Sequence, residues 1–179
     1  MNQTKKTSKI LSDEHKNILK VIEALNRECN NLESGKRLEK LDKEFFKKAI
    51  DFIRNYADKF HHAKEEDILF KELCKDTVQM HCNPVQQMLY EHDLGRNFVK
   101  EMEKALNENN VKKVLENARG YIKLLQDHIY KEDNILYPMA DEALNKSIET
   151  SMQKKFEQVK KKFDNKKYLS IIKEFEKRK

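Results

Sequence analysis

Tryptophan is absent from this chain, and glycine and proline are nearly so, with three and two among 179 residues. So few turn formers leave little material for the tight connections of a sheet protein. With 38% of residues charged, the composition suits long solvated helices instead. No apolar run approaches the roughly 18 residues that a membrane-spanning helix needs. The start, Met1-Asn-Gln-Thr-Lys-Lys, lacks the apolar stretch that follows the basic residues of a secretory signal, so a cytoplasmic location is expected. Cysteine is sparse too: Cys29, Cys74 and Cys82 are an odd number without a CxxC pair, which argues against a disulfide framework or a zinc knuckle.

What is present fits one domain with a real core. The net charge of +6 is not spread evenly, because residues 146–179 hold twelve Lys or Arg against five Asp or Glu. The remainder is close to neutral, so the excess marks a solvated basic helical tail rather than a nucleic-acid surface, and no nucleic-acid partner is expected.

Apolar periodicity predicts four helices. The first spans about Ser8 to Ser34, with Leu11, Ile18, Ile22, Leu25, Cys29 and Leu32 on one stripe, His15 filling the missing step and Gly35 ending it. A second runs from about Leu41 to Lys75, its stripe of Phe46, Ile50, Ile53 and Ala57 continuing through His61 and Glu65 to Ile68. Asn83-Pro84 reads as the start of a third helix, whose stripe Val85, Met88, His92, Gly95, Val99, Met102 and Leu106 runs to the Asn-rich stretch after it. The fourth carries Val114, Ala118, Tyr121, Leu125, Ile135 and Met139 around His128 and Glu132, and Pro138 is expected to kink or end it. The expectation is an all-α protein: an up-down-up-down four-helix bundle over residues 8–145 with an additional basic C-terminal helical segment, 146–179, packed on it.

The second and fourth helices share a motif. His61-His-Ala-Lys-Glu65-Glu-Asp-Ile-Leu-Phe70 aligns with His128-Ile-Tyr-Lys-Glu132-Asp-Asn-Ile-Leu-Tyr137, both reading His-x-x-x-Glu-x-x-Ile-Leu-aromatic. Residues four apart lie one turn along the same face, so each His and Glu can reach one point in a bundle core. Two unpaired carboxylates in such a core would each cost several kcal/mol, roughly, which calls for cations. Divalent metals meet that need and take neutral imidazoles as further ligands. Any one histidine alone is better read as an ordinary helix residue. Four of them on four helices, each replacing an apolar stripe position, are not. The cysteines are not placed with them, and carboxylates suit iron or manganese better than a zinc tetrad.

At these residues the chain resembles the hemerythrin-like, or HHE cation-binding, family over roughly residues 10–142. The resemblance implies two non-haem iron ions, oxo- or hydroxo-bridged, with manganese as an alternative. It implies that Glu65 and Glu132 bridge them, that His15 and His61 cap one, and that His92 and His128 cap the other. Hemerythrins proper carry one further histidine a turn before the third-helix ligand, where this chain has Met88. His62 is the most plausible substitute, the alternative being an open position. Asp133 ranks behind Glu132 as a bridge, and Tyr56, Tyr121 and Glu66 are candidates for supporting roles. His81 reads as a connection residue. The family implies dioxygen or another small diatomic ligand as partner. The expected function is carriage, storage or sensing of dioxygen by a monomer or dimer. The alternative is an enzyme reducing nitric oxide or peroxide, or an iron donor for repair of iron–sulfur sites.

Overall fold

The computed structural model describes residues 5–34, 41–79 and 84–178. The expected helix stop at Gly35, the Asn83 half of the helix-start signal, and His81 and Cys82 lie outside these residues. Among the described residues there are six helices: α1 (Thr7–Glu33), α2 (residues 43–73), α3 (Val85–Asn107), α4 (residues 111–143), α5 (Lys146–Lys161) and α6 (Asn165–Lys177). None is long and apolar enough to cross a membrane.

Local chemistry fixes the helix ends. Asp42, Asn110, Asn145 and Asp164 each accept backbone N–H groups of the first turn that follows, satisfying donors with no partner inside the helix. Helix α3 closes at Asn109, whose φ of 57° is tolerated by asparagine. There the Asn110 and Asn109 amides return to the Ala105 and Leu106 carbonyls, at 2.9 and 3.3 Å. Helix α1 has no side-chain cap of its own at Lys6. Glu149 of α5 supplies one, accepting from the Thr7 amide at 3.1 Å and the Thr7 hydroxyl at 2.8 Å, while the Ser8 hydroxyl donates to Asp141 at 2.7 Å.

Helices α2 and α4 widen where they carry the shared motif. Residues Ile53–His62 and Glu65–Leu69 in α2, and Glu132–Leu136 in α4, are π-helical. Closing hydrogen bonds over five residues rather than four advances the chain by a smaller angle per residue and shifts the buried face. This corrects two expectations. Ile135, placed on the inner stripe by a 3.6-residue period, is 48% exposed, and Leu136 takes its place in the core. Pro138 does not end α4, which runs on to Ala143 because the proline falls in the first turn after the widened segment.

The apolar core is two clusters. One joins Ile18 to Cys29 of α1 with Phe45 to Phe60 of α2, Val99 to Leu106 of α3 and Val114 to Ile129 of α4. The other joins Leu11, Ile68 to Leu73, Val85, Met88, Leu136 and Ala140, and is capped by Met152 and Phe156 of α5. Helix α6 closes the flank of the first, with Phe175 stacked on Phe45 at 4.6 Å and Tyr168 against Phe52 at 6.1 Å. Between the clusters lies a layer of buried polar side chains. It is reached near the start of α1 and α3 but near the end of α2 and α4, as successive helices running in opposite directions require.

Candidate metal centre

The polar layer consists of His15 from α1, His61, His62 and Glu65 from α2, His92 from α3, and His128 and Glu132 from α4, all buried. Their candidate donor atoms fall into two sets, each within 4.8 Å: His15, His61, Glu65 and Glu132 in one, and His62, His92 and His128 in the other. The carboxylates lie between. Glu65 Oε2 is 3.5 Å from His61 Nε2 and 3.7 Å from His92 Nε2. Glu132 Oε2 is 3.3 Å from His15 Nε2, and its Oε1 is 3.2 Å from His128 Nε2. Each carboxylate thus borders both sets, the geometry a bridge would need. A third grouping, Asp58, His62 and Glu66, shares His62, but Arg96 occupies both its carboxylates at 2.7 and 2.6 Å.

His61 Nε2, Glu65 Oε2 and both Glu132 oxygens are buried without a hydrogen-bond partner. Native interiors leave few such atoms, and charged ones cost several kcal/mol, roughly. These four converge between the histidine sets, and a pair of divalent cations would satisfy them together. Without cations, burial and the neighbouring Glu132 charge push the Glu65 carboxyl well up, while His128 and His15 hold Glu132 down against its burial. Burial works against protonation of His15 and His128 too. The hydrogen bond to Asp133 and the negative charge of Glu132 nonetheless raise His15 to about 9, and the carboxylates of Glu132 and Glu91 raise His128 to about 10. Burial keeps His61 and His62 well below the ordinary imidazole range.

The outer nitrogens are as ordered as the inner ones. His61 Nδ1 is 3.0 Å from Glu14, His92 Nδ1 is 2.6 Å from Glu66, His128 Nδ1 is 2.8 Å from Glu91, and His15 Nδ1 is 3.0 Å from Asp133. Each pair joins two neighbouring helices, and together they close a ring around the bundle: α1 to α2, α2 to α3, α3 to α4, α4 to α1. Each carboxylate is the chain neighbour of an inner residue: Glu14 of His15, Glu66 of Glu65, Glu91 of His92, Asp133 of Glu132. Three carry a cation behind them: Lys64 on Glu14, Arg96 on Glu66 and Lys131 on Glu91. Such carboxylate-held imidazoles present a fixed tautomer and a basic inner nitrogen to a metal.

Several sequence expectations change. Asp133 orients His15 from outside rather than competing with Glu132. Glu66, a candidate for a supporting role, is the partner of His92 Nδ1. Lys64 is 1% exposed, its ammonium on Glu14 and 3.6 Å from the centre of the Phe60 ring. Met88 packs in the second apolar cluster. Tyr56 is packed, its hydroxyl accepting from Asn17 at 3.0 Å, and Tyr121 is buried. His62 stacks on His92, ring centres 3.8 Å apart and planes within 10°, with Nδ1 3.5 Å from Asp58.

Sequence reasoning missed Glu14 and Tyr137. The Tyr137 hydroxyl donates to Glu65 Oε1 at 2.6 Å and lies 3.3 Å from His15 Nε2, and its ring stacks on His15. Phe70, its counterpart in the repeat, stacks on His92 with no hydroxyl. The signal was the aromatic that closes each motif, at which the two halves of the centre differ.

A family model described as the hemerythrin HHE cation-binding domain matches residues 6–140. Comparison with curated proteins and with solved structures returns no match.

Proposed function

The chain belongs to the hemerythrin HHE cation-binding family, and from that premise we propose that it holds two iron ions and binds dioxygen reversibly, as a carrier, store or sensor. The observation that carries this reading is the cluster of unpartnered buried atoms, His61 Nε2, Glu65 Oε2 and both Glu132 oxygens, between two histidine sets. Glu65 and Glu132 would lie between the two ions, His15 and His61 would hold one, and His62, His92 and His128 the other. Manganese would use the same donors. His62 then makes good the histidine that Met88 replaces.

Iron, when bound, supplies the redox chemistry that dioxygen requires. The chain's own residues do the rest. The donor sets are unequal, three histidines in one against two in the other, and on the side of the two the Tyr137 hydroxyl would orient Glu65 by donating to its Oε1 at 2.6 Å, its ring stacked on His15. Apolar clusters pack against both sides of the layer.

A specific observation favours the second reading, an enzyme of peroxide or nitric oxide reduction or an iron donor. A cavity of about 340 Å³ reaches His62, His92 and His128 from the surface, far more room than a diatomic needs. Anaerobic titration of metal-free protein with ferrous iron, followed by air and then argon, separates the two. Two irons per chain with a visible absorption band that argon reverses supports the oxygen binder. Irreversible oxidation supports the enzyme, and failure to bind iron overturns both.

A further inference from the structure

The cavity between α2, α3 and α4 has walls of Ile53, Val99, Leu124 and Leu125 and an inner end formed by His62, His92 and His128. Its size falls in the range of small-molecule pockets, roughly 300–1,000 Å³. Part of its room comes from Gly95. A Cβ there would sit 3.5 Å from Tyr121 and 3.7 Å from Leu124, in ordinary contact, so the hydrogen keeps space open without being forced by packing.

Among the lining side chains, two buried polar atoms have no partner: the Tyr121 hydroxyl and His62 Nδ1. Tyr121 is 2% exposed, and a hydroxyl at that depth is costly unless something answers it. Three cations line the cavity: Arg96 is taken by Asp58, Glu66 and Asp93, Arg54 by Glu103 through two 2.6 Å bonds, and Lys59 is an exposed side chain. Inside, Asp58 and Glu91 line the same space, each already paired with a cation, Arg96 and Lys131, so they leave no unpaired charge for an ionic ligand. The interior is therefore matched to a neutral molecule with an apolar body and one group that both donates and accepts a hydrogen bond.

We propose that this cavity binds a small neutral organic hydroxy compound, R–O–H in kind (an alcohol, a phenol or a hydroperoxide), its oxygen paired with Tyr121 and its body against Ile53, Val99 and Leu125. The location of that oxygen beside a metal rests on the reading given under Proposed function. Occupation of the cavity does not, which lets the two fail separately.

The probe is 2-phenyl-2-propanol, with benzoate as a charged molecule of similar size. Both are titrated calorimetrically into the full chain as isolated and after chelation, and located by methyl NMR on the chelated protein. Saturable one-to-one binding of the alcohol is expected, with shifts at Ile53, Val99, Leu124 and Leu125 and none at Leu11. Tyr121→Phe should weaken it about three- to ten-fold, the worth of one hydrogen bond. Gly95→Leu, which fills the space, should weaken it by about ten-fold or more, and Gly95→Ala by less. Melting curves verify that each variant folds. No saturable shift, or undiminished binding in Gly95→Leu, would overturn the site, and tighter binding of benzoate would overturn the ligand class. Alcohol binding in a chain that takes up no iron would leave this inference standing and remove the metal reading alone.

Discussion

Imidazole has a nitrogen at each edge of its ring, and at His15, His61, His92 and His128 the two have separate tasks: Nε2 turns to Glu65 or Glu132 while Nδ1 is held by an acidic side chain from the next helix. Glu66→Gln tests the outer task cleanly, because Arg96 keeps Asp58 and Asp93 and the fold loses little. Metal affinity should fall about 10–100-fold, read by competition with a chromophoric chelator. Protons compete for the inner task. With His15 at about 9 and His128 at about 10 in the metal-free chain, both are protonated at neutral pH and must lose those protons on binding. Affinity should therefore rise from pH 6 to 8, up to about 100-fold per unit for two displaced protons. The metal-free fold should do the opposite. Both values lie above the free-imidazole value, so their contribution to stability is complete below about pH 6.5 and is lost as pH rises through 9 and 10. Falling melting temperatures from pH 6 to 10 would bear this out, and a flat profile would refute it. Spacing alone was enough to name six of the inner side chains, since each interrupts an apolar stripe; His62 came only from the comparison of Met88 with the family pattern. The outer carboxylates were not legible in the same way. Glu14 and Glu91 are two among 31 acidic residues, and what distinguishes them is lying one residue from an inner ligand and across from the next helix, which is visible only once neighbours are known.

At the scale of helices, a 3.6-residue period gave the stripes of α1 and α3 correctly from end to end, because both are regular throughout. It failed only past a π-helical turn. The wider turn at Glu132–Leu136 moves Leu136 inward and Ile135 outward, and that at Ile53–His62 lets two consecutive residues, His61 and His62, both be buried. No residue type marks a π turn, so its position follows from what the layer must contain rather than from local propensity. The α3–α4 contact offers a test of packing apart from the metal. A Cβ on Gly120 would come within 2.5 Å of the Phe98 ring, so α4 approaches α3 there as only glycine allows. Gly120→Ala should gain some helix propensity but lose more to overpacking, a net destabilisation of about 1–3 kcal/mol in chemical unfolding, with iron content unchanged. A more stable variant would mean that Phe98 swings aside at no cost.

Across the whole molecule, a layer holding two buried carboxylates divides the core in two, and metal and C-terminal helices each stabilise one part of that arrangement. Removing metal should lower the melting temperature, since a ligand at 100 to 1,000 times its dissociation constant contributes about 3–4 kcal/mol. The Glu65→Ala, Glu132→Ala double variant should bind no metal yet melt no lower than the chelated wild type, because it deletes the charges that the metal neutralised. Retention of two irons in it would dismantle the site. A helical segment over residues 146–179 was expected, but the role of α5 at the start of α1 was not, because a cap supplied from 142 residues away leaves no local pattern. Glu149 satisfies the start of α1, eight residues before His15. Glu149→Ala should cost about 1 kcal/mol, which for a chain of this size lowers the melting temperature by about 2–4 °C. It should also raise amide hydrogen exchange at the start of α1 while leaving α3 protected. If exchange rises equally in both helices, Glu149 acts on the whole fold rather than on the helix it caps.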